Sequence, residues 1–356
     1  PRGSRTRLGL AGLLCAVFLR KVFGREEFAV VCFSTAYAFC AFFMGYYWNA
    51  IWLDTVALLP LVALGTFSLL KERRCVLYTA SLALSVYCSY YIGLFVCVFV
   101  LLLFIGWHGG KWGDLPGFWT RFWRIALCTV IALGMTAFLT IPAYLGLQST
   151  SSAVNSFPKS NALNIVSIPE LTHNEGMELI NQGKLTELFR FFGKEVPSFS
   201  EDSVCYPGWI GAHEALLTLR YGYVGSFLAA FRIPLQGVRD VLANAGTLTE
   251  PTSMEGLPNI FCGFFTLILA AVYLLCKRIP RRERVFTVLL LLFFASSFLF
   301  RTLDYLWHGM HFPNMLPYRF SFLWSFTVIF MAFRAYTQLE QLSRWRATLL
   351  IIPVAL

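Results

Sequence analysis

Ten stretches of this chain are almost free of charge and rich in Leu, Val, Ile and Phe: 8–23, 28–47, 53–70, 75–90, 91–107, 123–145, 259–276, 284–300, 319–336 and 346–356. A helix needs about 20 apolar residues to cross the hydrocarbon core of a bilayer, with a range of roughly 17–25. The pattern therefore predicts an all-α polytopic membrane protein of about ten transmembrane helices. The runs 75–90 and 91–107 are short and meet at Ser89-Tyr90-Tyr91, which predicts a tight helical hairpin. Between 145 and 259 the pattern changes to polar and mixed sequence, too long for a simple connection. The chain thus divides into a first helix block, 1–145, a segment at 146–258, and a second helix block, 259–356. Within the middle segment, Met177, Ile180, Leu188 and Phe192 recur at roughly helical spacing, which predicts an amphipathic helix.

The basic residues give these runs a direction. Clusters occur at Arg20/Lys21/Arg25, Lys71/Arg73/Arg74, Lys111/Arg121/Arg124, Lys277/Arg278/Arg281/Arg282/Arg284 and Arg344/Arg346, on every second connection. Lys and Arg accumulate on the cytoplasmic side of membrane proteins, so these connections are expected inside. The alternate connections, GYYWNAIWLD, SYY, 146–258 and 301–318, are then outside. Residues 146–258 hold seven basic and eleven acidic residues, a net charge of −4, which suits an extracytoplasmic segment. The arginines at 2, 5 and 7 break the alternation. That is expected if the start is cut, or if the first run does not span as drawn. The opening PRGSRTR lacks an initiator Met, and the chain stops within an apolar run, so a piece of a longer protein is expected.

Composition then narrows the class. Hydrophobic residues make up 57% and charged residues 13%, with 35 Phe and 10 Trp. A soluble domain carries about 25% charged residues. The net charge of +10 lies in short clusters between apolar runs, which argues against nucleic acid as a partner and for the lipid bilayer. Most of the ten Cys fall inside apolar runs and read as small hydrophobes, not as a disulfide framework or a zinc site.

Unusual polar residues gather on the connections expected outside. WHGMHFPNMLPYRFSF, residues 307–322, sets His308, His311 and Asn314 before Arg319, at the mouth of an apolar run. Basic residues mostly lie on the other side, so an outer arginine beside two histidines forms a positive patch suited to phosphate. The i, i+3 spacing of His308 and His311 could serve a metal on a helix, but Pro313 and Pro317 favour an irregular turn, and no metal site is assigned. Asn49, Trp52 and Asp54 stand in YYWNAIWLD, Tyr90 and Tyr91 in SYYIG, and Glu255 and Asn259 where the middle segment re-enters the membrane. Each has a plainer reading as an interfacial aromatic, a cap or a snorkelling side chain. Phosphate-binding glycine loops, nucleophile elbows and zinc-binding helix motifs are absent from the sequence.

Several of these stretches together resemble the YfhO family of bacterial membrane proteins. They are RLGLAGLLCAVFLRK, YYWNAIWLDTVALLPLVALG, LYTASLALSVYCSYYIG, LPNIFCGFFTLILA and LDYLWHGMHFPNMLPYRFSFL, in the family's order over most of residues 5–330. The resemblance implies a GT-C-like glycosyltransferase in the bacterial plasma membrane. Such an enzyme moves a sugar from an undecaprenyl-phosphate donor to a cell-envelope polymer such as lipoteichoic acid, on the outer face. It implies that Arg319 meets the donor phosphate, that His308, His311, Asn314, Asn49, Trp52, Tyr90, Tyr91, Glu255 and Asn259 line the substrate, and that Asp54 is the catalytic carboxylate nearest the outer face. No cofactor is implied, although a divalent cation would be compatible. GT-C enzymes usually carry an acidic motif in their first external loop, and this chain is expected to start beyond it. A transporter or flippase for lipid-linked sugars is the alternative, and a structural membrane subunit a third. The sequence shows no internal repeat of the transporter kind, and its polar residues cluster at one face.

Overall fold

The computed structural model describes residues 2–109, 115–148, 258–299, 303, 306–309 and 318–339. These form eleven longer helices, with no strand among the described residues: α1 (Arg2–Phe23), α2 (Phe28–Ala38), α3 (Ala41–Gly45), α4 (Ala50–Glu72), α5 (Val76–Cys88), α6 (Tyr90–Gly109), α7 (Leu115–Met135), α8 (Ala137–Gln148), α9 (Phe264–Leu275), α10 (Arg281–Leu299) and α11 (Phe322–Leu339). The amphipathic helix expected near residue 180 lies outside the described residues, as does the run 346–356.

Among the described residues, three helices are long and apolar enough to cross a bilayer: Ala50–Glu72, Tyr90–His108 and Gly117–Met135. Other apolar helices are shorter because their runs are broken, and the structure shows what meets the chain at each break. The run 28–47 is cut after Ala38, where Cys40 takes an extended conformation and the Ala41 N–H donates to Phe261 O at 2.7 Å instead of continuing the helix. The run 123–145 is cut at Thr136, whose hydroxyl bonds back to Ala132 O at 3.3 Å and Leu133 O at 3.1 Å. Such back-bonding competes with the helical ladder and bends it. The run 259–276 becomes helical only at Phe264. The hairpin does form where expected, with Ser89 as the joint and its hydroxyl receiving the Ile92 N–H at 3.4 Å.

Helix α4 is the hub, packed on α1, α5 and α6. It ends at Arg73, whose left-handed φ of 60° closes the helix. Arg7 meets Asp54 and Phe18 meets Phe67, so α1 and α4 run parallel. Thr55 donates to Ser85 O at 2.8 Å near one end of α4, while Gly65 faces Tyr78 further along, so α5 is antiparallel to it. A Cβ on Gly65 would lie 2.7 Å from Tyr78 Cα, so glycine is what lets the two backbones approach this closely.

The stretch 258–263 is not helical, yet Pro258, Asn259, Ile260 and Cys262 are buried. Its carbonyls from Asn259 to Gly263 are satisfied one by one. Ser321 Oγ donates to Asn259 O at 3.4 Å and Ser325 Oγ to Ile260 O at 3.2 Å. Phe261 O takes the Ala41 N–H, and Thr266 Oγ1 lies 2.8 Å from Cys262 O and 2.5 Å from Gly263 O. Irregular backbone survives within a membrane protein only where other protein groups cover it. Here the break in α2/α3 and the extended entry to α9 cover each other.

Candidate functional site

The first turns of α4 and α6, the buried stretch 258–263 and the turns at 306–309 and 318–321 converge at one end of the bundle. Arg319 is at their centre. Its backbone is pinned on both sides. Tyr318 is buried against Phe298 at 5.8 Å, and Phe320 stacks between Trp307 at 4.8 Å and Phe298 at 5.2 Å. Tyr318 has a φ of +61°, a conformation that a bulky side chain rarely adopts and that costs about 1–3 kcal/mol. Backbone strain of this kind persists only where the surroundings over-determine it. Here the turn sends the residue between two buried anchors back toward the helix starts.

The Arg319 guanidinium carbon lies 5.0 Å from the Trp52 ring centroid and 5.0 Å from that of Tyr91. All three side chains are half-buried. A cation over an aromatic face is held electrostatically, by about 0.5–1 kcal/mol when exposed and 2 or more when desolvated. Stacking covers the guanidinium plane, so the N–H groups along its edge are its route to an anion, in the forked geometry that phosphate and carboxylate accept. His308 is fully buried beside Tyr91, with ring centroids 5.9 Å apart, and beside Phe95 at 5.5 Å. Gly309 follows with a φ of +70°, and a Cβ there would meet Leu94 at 3.2 Å. Asn259 is buried, and its side chain and the Arg319 charge both lie within electrostatic reach of the Tyr46 hydroxyl. The Tyr46 ring is 5.4 Å from Trp52.

The structure therefore brings together Arg319, Trp52, Tyr91, His308 and Asn259, with Tyr46 as a member the sequence reading missed. Tyr46 stands in the same YYWNAIWLD stretch. Asn49 precedes α4 at its N-terminus and is half-buried, but its side chain makes no capping hydrogen bond. Tyr90 is exposed at the start of α6. His311, Asn314 and Glu255 lie outside the described residues.

Asp54 goes elsewhere. Its carboxylate is held by Arg7 of α1, with Nε to Oδ1 at 2.6 Å and a terminal nitrogen to Oδ2 at 3.3 Å. The reason is helical geometry: at 3.6 residues per turn, positions two apart face about 200° away from each other. Trp52 turns to Arg319, so Asp54 turns to α1. Among the described residues, no three His, Cys, Asp or Glu side chains gather to hold a metal.

The opposite end of the bundle has another character. Lys71 lies nineteen residues beyond Trp52 on α4, about 29 Å away at 1.5 Å per residue. Toward that end Arg334 forks onto Glu283 at 3.1 and 3.4 Å, and Arg25 pairs with Glu27 at 2.8 Å.

The sequence model of a family described as bacterial membrane protein YfhO matches residues 4–190 and 230–356. No curated protein matches the chain, and no solved structure does. The match takes in nearly every described residue, including Tyr46, Trp52, Asp54, Tyr91, Asn259, His308 and Arg319. With most of its length matched, and with helices long and apolar enough to span a bilayer, the chain belongs to the YfhO family of bacterial membrane proteins.

Proposed function

We propose that this chain is a GT-C-like glycosyltransferase, or part of one, that moves a sugar from a polyprenyl-phosphate-linked donor to a cell-envelope acceptor such as lipoteichoic acid. The observation that carries the reading is Arg319: an arginine stacked on Trp52 and Tyr91, on a strained turn, at the end of α4 away from Lys71 and Arg73. In this reading the cationic clusters face the cytoplasm. The Arg319 end and residues 146–258 then face outward from the bacterial plasma membrane in a multi-pass arrangement, with helix blocks at 1–145 and 259–356 on either side. A lipid-borne phosphate would sit at the interface, within reach of the guanidinium. As the glycosidic bond to the phosphate breaks, negative charge grows on the phosphate oxygens, and a fixed guanidinium stabilises it. Buried His308 and Asn259 support Tyr91 and Tyr46 around that cation. Asp54, the carboxylate suggested by resemblance, lies at the same end of α4 but turns to Arg7 on α1, so this reading assigns it no part in the reaction.

The test is Arg319→Ala in the full-length protein, assayed as transfer of labelled sugar from a polyprenyl-phosphate donor in membranes and normalised to protein level. A charge-assisted hydrogen bond of about 1.5–3 kcal/mol, fully expressed in the transition state, corresponds to a roughly 10- to 150-fold loss. Arg319→Lys should recover only part of it, because lysine keeps the charge without the fork. Near-normal transfer by Arg319→Ala would make this arginine an anchor and sink the proposal.

A transporter or flippase for lipid-linked sugars is the second reading. The facing breaks at Phe39–Cys40 and 258–263 favour it, because transporters build substrate sites from discontinuous helices. Yet the carbonyls at 259–263 each already have a protein partner. Donor crossing in proteoliposomes without sugar transfer would select this reading.

A further inference from the structure

At the end of the bundle opposite Arg319, the turn from α9 into α10 gathers positive charge. Lys277, Arg278, Arg281 and Arg282 are all exposed there. Glu283 is the one acidic residue between 264 and 299, and the fold turns it inward. Arg334 of α11 forks onto its carboxylate at 3.1 and 3.4 Å, and the Tyr273 hydroxyl donates to it at 3.4 Å. Its charge therefore faces α11 and does not offset the cations at the surface. The turn itself is tied down. Cys276 and Ile279 are buried, the Tyr273 and Thr287 hydroxyls meet at 3.0 Å, and Arg284 donates to Leu274 O at 2.7 Å.

Below this patch the helix surface is apolar and uncovered. Val285, Leu289 and Leu292 follow Arg281 at i+4, i+8 and i+11, which is one face of a helix. They are 48%, 58% and 54% exposed, and Leu274 and Leu275 at the end of α9 are exposed as well. From Arg281 to Leu292 the helix rises about 17 Å at 1.5 Å per residue, close to half of a hydrocarbon core about 30 Å thick. A cation above one leaflet's depth of exposed aliphatic side chain matches the outline of a phospholipid with a negative headgroup. The end of α4 lacks this combination. Its Lys71 and Arg74 follow buried Leu69 and Leu70, and Arg74 pairs with Glu72 at 3.3 Å.

We propose that the α9–α10 turn and the exposed face of α10 form a binding site for an anionic phospholipid. Lys277 and Arg281 take the headgroup phosphate, and the stripe Val285, Leu289, Leu292 takes an acyl chain. The site is separate from the Arg319 end and does not depend on the glycosyltransferase reading.

Native mass spectrometry of the full-length protein in neutral detergent tests this, with phosphatidylglycerol, phosphatidylcholine and glycerol phosphate as probes. Phosphatidylglycerol should bind more tightly than phosphatidylcholine, which has no net charge, and than glycerol phosphate, which has no chains. Each basic side chain near the headgroup is worth about fivefold in affinity, so Lys277→Gln/Arg281→Gln should weaken phosphatidylglycerol binding roughly 25-fold. Lys71→Gln/Arg74→Gln removes the same charge from the end of α4 and should leave that affinity nearly unchanged. An equal loss in both double variants would reveal diffuse attraction and overturn the site. Equal binding of the two lipids would do the same, and glycerol phosphate binding as tightly as phosphatidylglycerol would make this a soluble-anion site. A measurement on the unmodified protein guards against a variant that does not fold. Phosphatidylglycerol with a photoreactive acyl chain should crosslink within residues 281–292, and crosslinks that all lie off α10 would refute the assignment.

Discussion

Removing one ring from beneath Arg319 separates a phosphate clamp from an interfacial arginine. Trp52→Leu and Tyr91→Leu each delete an aromatic face whose centroid lies 5.0 Å from the guanidinium carbon, and leave an aliphatic side chain to fill part of the space. All three side chains are half-buried, so each contact should contribute between the exposed and the desolvated limits, about 0.5–2 kcal/mol. If the rings hold the guanidinium ready for the donor, that energy appears as a roughly 2- to 30-fold change in donor KM or kcat/KM. The two contacts share one cation, so the double variant should lose less than the sum of the single losses. The assay is sugar transfer in membranes at varied donor concentration, with thermal stability measured alongside. The Tyr91 ring also packs on Phe95 and His308, at 5.2 and 5.9 Å, so Tyr91→Leu should cost more stability than Trp52→Leu. Unchanged kcat/KM in both single variants would refute the clamp, since no arginine held by those rings could lose them without cost.

Three further outcomes follow from the packing and the charge pattern. Gly65→Val forces a side chain into the Tyr78 backbone and should cost about 1–3 kcal/mol or more, read as a lower melting temperature in detergent. Gly134→Ala, with nothing within 4 Å of the new Cβ, should not lower it. Ser325→Ala removes the donor to buried Ile260 O and should cost about 1–3 kcal/mol by the same measurement, with no stability change counting against the carbonyl-covering role of that serine. A cysteine at position 160 should label with an impermeant reagent in intact cells, and one at position 73 only after permeabilisation; the reverse would invert the orientation and remove the outward site.

How much of this was legible in the sequence varied with the range of the interactions. The Ser89 joint could be placed because hairpin turns are local: two short apolar runs and a polar residue sufficed. The break after Ala38 could not. The run 28–47 has no proline, and its first glycine is Gly45, so nothing nearby predicts a stop. The Ala41 N–H leaves the helix to meet a carbonyl 220 positions away in sequence, at Phe261. That bond also engages the non-helical start of 259–276, so one long-range contact joins the two interrupted runs.

The site shows the same division within a few residues. Charge parity singled out Arg319, because an arginine on the less basic side needs a reason to be there. Periodicity could have gone further than it did. Trp52 and Asp54 are two apart on a helix, so they could not both face Arg319, and choosing the tryptophan commits Asp54 to another partner. That partner came from the arginines at the start of the chain, which looked like an exception to the charge rule. Paired with Asp54, Arg7 can stand at the less basic end. Tyr46 was the harder case. Tyr46, Tyr47 and Trp48 are consecutive aromatics in one stretch, and composition does not rank them. In the fold Tyr46 is 3% exposed, against 61% and 56% for its two neighbours, because its ring packs on Phe42 at 4.7 Å and Trp52 at 5.4 Å, with its hydroxyl within electrostatic reach of Asn259 in the buried stretch 258–263. The residue that joins the site thus stands beside the same irregular segment that meets the broken helix. If that is so, the breaks are part of what builds the Arg319 end, and straightening either helix should disperse the site.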